Sequence, residues 1–401
     1  MGRSPRRHRA MAAPPRDPGK NPRGVLPGDR IFASLAPYIT FADHLRLRIV
    51  CRAWRFFSRR LGRRPPPFPW LMLPEPASAS QSAPAPAPAN VRRQFYDIPG
   101  GRPYAYDVPG EGYHRCVASS ACGWLVFVSV DAPRRLVLAN PVAGARLVLS
   151  WPFKEKNAEG RFHAALTSSP ADRRACFLVL ATDRLVAYCR PGQQDQGWLT
   201  LRAPGFRYDP AASDMVTVGA MVYLVDGRRR KVWRADLADP EPKVECRNTA
   251  CQLPFGESSM RHYLVESLRH VHLVLADEHN ARVALFRLDW DKKMWMQDRV
   301  RGDRVLLLGR GCSASVPAAS GRPPGMLLFA HQPSLSLVDV GGCGAGLAWF
   351  WAESWVDDGS DDMLVLKKKM HHRQGEFTAG DSFWFFPAID PDERAMVASQ
   401  A

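Results

Sequence analysis

The sequence predicts a mainly β protein, in which a β-propeller of about six blades follows a small segment of three short helices. Three observations support this fold class. Short apolar runs bounded by Gly, Pro, Asp or Ser recur after residue 91, as is typical of strands. These runs repeat about every 50 residues, which is the length of a propeller blade. Before residue 65, apolar residues instead recur at helical spacing.

The N-terminal part carries most of the net charge. The chain has 55 Lys and Arg against 39 Asp and Glu, a net charge of +16. Residues 1–64 hold sixteen of these cations and three of the anions, so they carry +13 and the rest carries +3. We expect residues 1–24 to be a disordered basic tail, with a nuclear-localisation signal or a surface for an acidic partner as alternatives. The nearly neutral remainder argues against a nucleic-acid-binding main domain.

Residues 25–64 are the predicted helical domain. A proline and an acid in Leu26–Asp29 precede an apolar run, which is how helices begin. Thr40 with Asp43 forms a capping-box pattern ahead of a second helix. An apolar stripe follows at positions i, i+3, i+4 and i+7, formed by Leu47, Val50, Cys51 and Trp54. A segment this short seldom has a core of its own, so we expect the stripe to pack against another chain. A helical hairpin packed on the rest of the protein is the alternative.

A linker is predicted over residues 65–90, because its Pro-rich and Ala-Pro repeats favour extended backbone rather than a core. Pro69–Pro74 is an apolar island within this linker, and we expect it to pack on one of the domains.

The propeller is predicted over residues 91–392, followed by a tail at 393–401. Its central strands are the apolar runs Trp124–Val130, Cys176–Ala181, Met221–Val225, Val271–Ala276 and Met326–Ala330. A second strand follows each run, and these second strands start at residues 136, 185, 231, 283 and 335. This spacing is typical of a kelch-like propeller, and a pair of β-sandwiches is the alternative.

Large aromatic residues recur late in the repeats, where they are expected to fill the space between blades. They are Trp151, Trp198, Trp233, Trp295 and Trp349. The strands left over at the two ends, Gln94–Val108 and Ser382–Ile389, are expected to lie close together and to help close the ring.

The sequence offers little that indicates catalysis, a metal or a cofactor. Nine cysteines without a C-x-x-C pair are expected to be reduced thiols. His270 and His272 share a face of a strand, where half-buried structural histidines are favoured over metal ligands. The glycines of Gly341–Gly346, the acids of Asp357–Asp362 and Lys367–Lys369 with its neighbouring histidines are interpreted as solvated loops or a strand edge. No apolar run is long enough for a membrane span, and no secretory signal is recognised.

The helical segment resembles the F-box. The matching residues are Leu26-Pro27, Ile31, Leu35, Asp43 and the ending Val50-Cys51-Arg52-Ala53-Trp54-Arg55. This resemblance implies docking on a Skp-type adaptor and, through it, on a cullin-based ubiquitin ligase. The residues expected to contact the adaptor are Leu26, Pro27, Ile31, Leu35, Val50 and Trp54.

The rest of the chain resembles plant F-box proteins whose second domain is a kelch-like propeller of undefined function. The matching motifs are Pro69–Pro74, Gly123–Val126, Ala139-Asn140-Pro141 with Gly144, Val222–Gly227, Phe286–Asp289 and Phe383–Pro387. The resemblance implies a non-enzymatic substrate receptor in the cytoplasm or the nucleus, without a cofactor, that binds an unknown protein target. A propeller scaffold outside any ligase is the alternative.

Overall fold

The computed structural model describes the chain in segments. Eight described positions lie in the N-terminal part, namely Ser34, Asp43, Leu47, Val50, Cys51, Arg52, Trp54 and Phe56. The further described segments are residues 69–73, 90–97, 102–109, 114–129, 134–153, 162–193, 197–201, 205–209, 213–226, 231–249, 260–277, 282–298, 304–317, 326–329, 364–365 and 383–387. The chain divides into two compact units, Met1–Pro65 and Pro66–Ala401.

The first unit is helical at seven of its eight described positions. Cys51 is the exception, between helical Val50 and helical Arg52. The predicted apolar stripe of Leu47, Val50, Cys51 and Trp54 is therefore helical at three of its four positions, and Cys51 itself is not helical. Leu47 and Val50 precede Cys51, and Trp54 follows it. Within the described residues, no helix is long and apolar enough to cross a bilayer.

The second unit is built from strands. In chain order they are β1 (Trp70–Met72), β2 (Asn90–Asp97), β3 (Arg102–Pro109), β4 (His114–Ser119), β5 (Leu125–Ser129), β6 (Arg135–Asn140), β7 (Ala145–Ser150), β8 (His163–Leu166), β9 (Leu178–Ala181), β10 (Val186–Cys189), β11 (Leu199–Leu201), β12 (Ser213–Val218), β13 (Met221–Asp226), β14 (Lys231–Asp236), β15 (Glu245–Asn248), β16 (Met260–Ser267), β17 (His270–Asp277), β18 (Arg282–Asp289), β19 (Met294–Gln297), β20 (Arg304–Leu308), β21 (Ala314–Pro317), β22 (Met326–Phe329), β23 (Leu364–Val365) and β24 (Phe383–Phe385).

The described strands form six sheets. Sheet 1 has the order β24-β1-β2-β3, sheet 2 β4-β5-β6-β7, sheet 3 β8-β9-β10-β11, sheet 4 β12-β13-β14-β15, sheet 5 β16-β17-β18-β19 with β23 beside β18, and sheet 6 β21-β20-β22. Neighbouring strands are antiparallel except β20 and β22, which are parallel. Sheets 2 to 5 are therefore meanders of consecutive strands, because each strand turns directly into its neighbour.

Consecutive sheets pack face to face. One apolar cluster joins sheets 2 and 3, the next joins sheets 3 and 4, and further clusters join sheets 4 and 5 and sheets 5 and 6. This packing explains why β9, with the sequence Leu-Val-Leu-Ala, is buried along its whole length, since both of its faces meet a neighbouring sheet. Stacked sheets of this kind are the arrangement of a β-propeller.

The predicted central strands are confirmed where the structure describes them. The runs beginning at Trp124, Cys176, Met221 and Val271 coincide with the central strands β5, β9, β13 and β17, and the run beginning at Met326 coincides with β22 at an edge of sheet 6. The predicted second strand that starts at residue 335 and the loops at 341–346, 357–362 and 367–369 lie outside the described residues. The prediction for the aromatic residues is confirmed at four positions. Trp233 and Trp295 are buried between sheets, and Trp151 and Trp198 pack on the cluster between sheets 2 and 3; Trp349 is not described.

Sheet 1 joins the two ends of the second unit. β1 lies between β24 and β2, with Leu71 opposite Trp384 on one side and Tyr96 on the other. The Phe95 and Phe385 rings lie 4.8 Å apart between centroids. The prediction that the two terminal strand regions lie close together is thus confirmed. The apolar island also packs on a domain as predicted, although its role as the strand that bridges β2 and β24 was not expected.

The edge strands of the sheets form a curved row. Each of β24, β4, β8, β12, β16 and β21 contacts the next in this order. The last part of this row comes close to its first part. The backbone N–H of Ser119 at the end of β4 donates to the carbonyl oxygen of Gly311, between β20 and β21, at 3.1 Å. A hydrogen bond therefore joins sheet 2 to sheet 6.

Candidate functional site

Two of the six predicted adaptor-contact residues are described. Val50 is helical and its relative exposure is 62%, while Trp54 is helical and half-buried. Leu26, Pro27, Ile31 and Leu35 lie outside the described residues. Phe56 is a further exposed apolar residue, at 54%, which the sequence analysis did not single out. The first unit therefore presents apolar side chains that its own described residues do not cover.

A second candidate surface lies at one end of the propeller, where the edge strands turn into their neighbours. We call it the axial turn surface and define it by residues 120–124, 167–177, 268–269 and 309–313. The Ser119–Gly311 bond brings the first and last of these turns together. The hydroxyls of Ser267 and Ser315, 2.8 Å apart, bring the third and last together. Burial raises the pKa of Cys176 to about 12. The thiol of Cys122 adds a smaller contribution in the same direction, which indicates that the second turn lies near the first.

The hairpin between β16 and β17 has an unusual turn at this surface. Ser267 pairs with His270, so Leu268 and Arg269 alone form the loop. Their φ angles are 52° and 65°, which identifies a type I′ turn. Such a turn favours Asn and Gly, because a left-handed conformation brings the Cβ of other residues too close to the following carbonyl oxygen. Leu268 is nevertheless 43% exposed at the tip.

Two side chains hold this turn in place. The backbone N–H of Arg269 donates to Oε1 of Glu266 at 2.6 Å. The Nδ1 atom of His270 lies 2.9 Å from the carbonyl oxygen of Leu268. Strained backbone persists only where its surroundings over-determine it, and it concentrates at binding sites. The turn is therefore a candidate for recognition.

Exposed arginines lie in other turns of the same surface. Arg173 and Arg174 lie in the turn between β8 and β9, and Arg310 lies in the turn between β20 and β21. The exposed acid among these innermost turns is Asp172, whose Oδ1 accepts the N–H of Ala175 at 3.2 Å. The described part of the axial turn surface is therefore strongly basic, although residues 65–401 as a whole are nearly neutral.

A buried polar group lies between the edge strands. Asp214 on β12 accepts the N–H of Leu264 on β16 through Oδ2 at 2.7 Å, and the N–H of Met215 through Oδ1 at 2.9 Å. Burial raises the pKa of Asp214 to about 7, against the lowering effects of these bonds and of Arg310. The Tyr208 hydroxyl is hydrogen-bonded to Nδ1 of His163 on β8, and burial raises the pKa of Tyr208. These contacts tie edge strands together.

The two strand histidines have structural partners. His272 is buried, and its Nε2 lies 3.2 Å from Oδ2 of Asp298. Burial lowers the pKa of His272, and Asp298 opposes this effect. His270 is exposed and contacts the Leu268 carbonyl. Within the described residues, no group of three or more His, Cys, Asp or Glu side chains is placed to hold a metal ion.

The family follows from the second unit. The sequence model of the KIB1-4 beta-propeller family matches residues 95–365, which run from β2 to β23. The chain belongs to the KIB1-4 beta-propeller family. This assignment agrees with the stacked sheets and supports the propeller over the pair of β-sandwiches.

Solved structures similar to this family member have low identity. The periplasmic gluconolactonase PpgL of Pseudomonas aeruginosa is 12% identical, with a TM-score of 0.37 over 79% of this chain and 99% of its own. The Aleuria aurantia lectin is 9% identical, with a TM-score of 0.34 over 79% and 98%. The Malassezia sympodialis allergen Mala s 1 is 13% identical, with a TM-score of 0.32 over 71% and 90%. Similarity at this level carries no information on function. No curated protein matches this chain.

Sequence reasoning missed the axial turn surface of this propeller. Arg310 is more than a hundred residues away from the adjacent pair Arg173-Arg174, so the three arginines form no charge run. Leu268-Arg269 also lacks the Gly or Asn that indicates a tight hairpin. The two-residue length of this turn follows from the pairing of Ser267 with His270 in the structure, so the sequence did not reveal it.

Proposed function

We propose that the chain is the substrate-recognition subunit of a cullin-based, SCF-type ubiquitin ligase. The F-box docks on a Skp-type adaptor through Leu26, Pro27, Ile31, Leu35, Val50 and Trp54. The propeller, of kelch-like type with each of the six sheets as one blade, binds the target protein. Ubiquitin transfer is the work of the partners, and this chain contributes proximity, which raises the effective concentration of the target. The chain works in the cytoplasm or the nucleus.

The observation that carries this proposal is the exposure of Val50. Val50 and Phe56 of the helical segment are apolar and are 62% and 54% exposed, and more than one exposed apolar side chain in so short a segment suits a surface that a partner covers. The half-buried Trp54 supplies an aromatic side chain, a residue type enriched among those that dominate binding energy. Met1–Pro65 is a compact unit of its own, as is expected of a docking module.

Co-purification of the full chain with a Skp-type adaptor tests the proposal. Val50→Asp introduces a charge on the exposed side chain, and we expect adaptor affinity to fall about tenfold or more. Leu26→Asp with Pro27→Ala is expected to abolish binding. Leu185→Asp is the matched control, because Leu185 is a 46% exposed leucine of the second unit, and it is expected to bind like the wild type.

The second candidate function is a propeller scaffold that engages no ligase. The basic axial turn surface is compatible with it, since that surface needs no adaptor. Wild-type chain that ignores every Skp-type adaptor while it still captures protein targets would favour the scaffold. Val50→Asp that binds the adaptor as well as the wild type would instead place the docking surface elsewhere.

A further inference from the structure

We propose that the axial turn surface binds an acidic segment of a partner protein, with an apolar side chain of that segment against Leu268. This inference rests on the proposed role of the propeller as the target-binding part. It adds the location of the surface and the chemistry of the target.

The Leu268–Arg269 turn supplies the exposed apolar side chain of the surface. Its backbone is strained at both positions, and the strain presents an apolar side chain and a guanidinium side by side. Glu266 and His270 hold the turn in this conformation, so little ordering is required when a ligand binds. Preorganisation of this kind improves affinity because it reduces the entropy lost on association.

The backbone of the arginine pair in the β8–β9 turn is held in place as well. Nη1 of Arg190 donates to the carbonyl oxygen of Arg174 at 2.5 Å, and Nε2 of Gln193 donates to that of Arg173 at 3.3 Å. The Arg190 guanidinium in turn lies over the Phe177 ring, 4.4 Å from its centroid. The backbone of the pair is thus fixed while both side chains are exposed. Exposed guanidinium groups that project from a fixed backbone suit bidentate bonds to carboxylates.

Charge complementarity selects the occupant. The described innermost turns carry exposed Arg173, Arg174, Arg269 and Arg310 against one exposed acid, Asp172, so they attract anionic groups. A single-stranded nucleic acid would call for exposed aromatic rings on which bases stack. The described innermost turns expose an aliphatic residue, Leu268, instead. An acidic peptide with an apolar side chain matches both features.

Fluorescence anisotropy with the full chain tests this proposal. The probe is a fluorescein-labelled peptide that repeats Asp-Glu-Leu, compared with a peptide that repeats Asn-Gln-Leu. We expect the acidic peptide to bind and the neutral one to bind at least tenfold more weakly. Arg173→Glu with Arg269→Glu is expected to lower the affinity for the acidic peptide about tenfold or more.

The matched control carries the same change in net charge at the opposite end of the sheets. Arg135 begins β6 and Arg184 precedes β10, and both are exposed. Arg135→Glu with Arg184→Glu is expected to change the affinity by less than about threefold, because distant surface charges are screened by salt. An equal loss in both variants would mean that net charge alone attracts the peptide, and would overturn the proposal. An oligonucleotide that displaces the peptide at lower concentration would also overturn it, in favour of nucleic acid.

A second variant separates recognition from folding. Leu268→Asn with Arg269→Gly installs the residues that a type I′ turn prefers. We expect its melting temperature to equal or exceed that of the wild type while its affinity for the acidic peptide falls. Unchanged affinity for the acidic peptide would show that the hairpin is not part of the binding surface. Because Val50→Asp leaves these turns intact, loss of adaptor binding and loss of peptide binding are distinguished by different variants.

Discussion

Sheets 4 and 5 each have a two-residue turn at the axis, but different residue types adopt the left-handed backbone in the two turns. Between β12 and β13, Val218 pairs with Met221, and the positive φ of 60° falls on Gly219. Between β16 and β17, positive φ angles fall on Leu268 and Arg269. Glycine has no Cβ and adopts this conformation without steric cost. Sheet 5 forms its turn against the preference of both of its residues.

The difference indicates that the sheet 4 turn only connects two strands, whereas the sheet 5 turn forms part of a binding surface. The sheet 4 turn has small residues, Gly219 and Ala220, and does little more than reverse the chain. The sheet 5 turn presents Leu268 and Arg269, and side chains on both flanking strands hold its backbone in place. Strain maintained by neighbouring groups is typical of binding sites.

The largest expected effect concerns Asp214, the buried carboxyl that links sheets 4 and 5. Its pKa is raised by burial from 3.8 to about 7 in the folded chain, so the folded state holds a proton that the unfolded state has released. This contribution to stability is fully present below about pH 4 and is lost as the pH rises through 7. Each pH unit in this window removes about 1.4 kcal/mol, or on the order of 4 kcal/mol in all.

Asp214→Asn provides the control, because an amide does not ionise. We expect the free energy of unfolding of the wild type, relative to that of the variant, to decrease between about pH 4 and 7. Urea denaturation at several pH values measures the difference in the free energy of unfolding between the two proteins. Other groups such as His272 contribute with the opposite sign, but they are present in both proteins, so their contributions cancel in the difference. Parallel pH profiles for the two proteins would contradict the raised pKa.

The next effect compares Gly219 with Gly311, which share a positive φ but not their surroundings. A Cβ at Gly219 would meet nothing within 4 Å, whereas one at Gly311 would lie 2.8 Å from the backbone carbonyl oxygen of Val117. Gly311→Ala should therefore lower the free energy of unfolding by about 2–3 kcal/mol. Gly219→Ala should cost only about 1 kcal/mol. Equal losses in denaturant unfolding would mean that the contact between sheets 2 and 6 can relax.

A leucine placed in the sheet 4 turn should lower the free energy of unfolding by less than Gly311→Ala does. Gly219→Leu places a leucine where the backbone is left-handed, without a steric neighbour at Cβ. We expect the free energy of unfolding to fall by about 1 kcal/mol, since no carboxylate among the described residues bonds to the backbone of this turn. Ala220→Leu is the control at the adjacent position. A Gly219→Leu protein as stable as the wild type would mean that the strain at Leu268 is also small.

The reverse exchange should give the smallest effect and the opposite sign. Leu268→Asn with Arg269→Gly should raise the free energy of unfolding by about 0.5–1 kcal/mol, because both new residues tolerate positive φ. Thermal unfolding measures this gain, and Leu268→Ala serves as a control that shortens the side chain but keeps the strain. A loss of stability would show that Leu268 packs on the fold rather than facing a ligand.

Sequence reasoning found the central strands far better than the edge strands. Apolar, β-branched runs such as Met221–Asp226 are buried between two sheets, so their pattern is read directly from composition. The edge strands are mixed in character. β12 begins Ser-Asp, and β16 contains Arg261, His262 and Glu266. Some of these polar groups bond to backbone N–H groups, as Asp214 and Glu266 do. Asp214 illustrates the point, since its backbone partner Leu264 is fifty residues away.

The sequence by itself determined the helical segment, the repeated β units and the aromatic residues between sheets. Each depends on local periodicity, which side-chain burial imposes on every strand or helix in turn. Only the tertiary structure decided that Trp70–Met72 bridges the two ends of sheet 1, and that arginines from distant turns share one surface with Leu268. Such features arise when stacked sheets bring remote turns to the same end of an axis, and no spacing along the chain encodes that proximity.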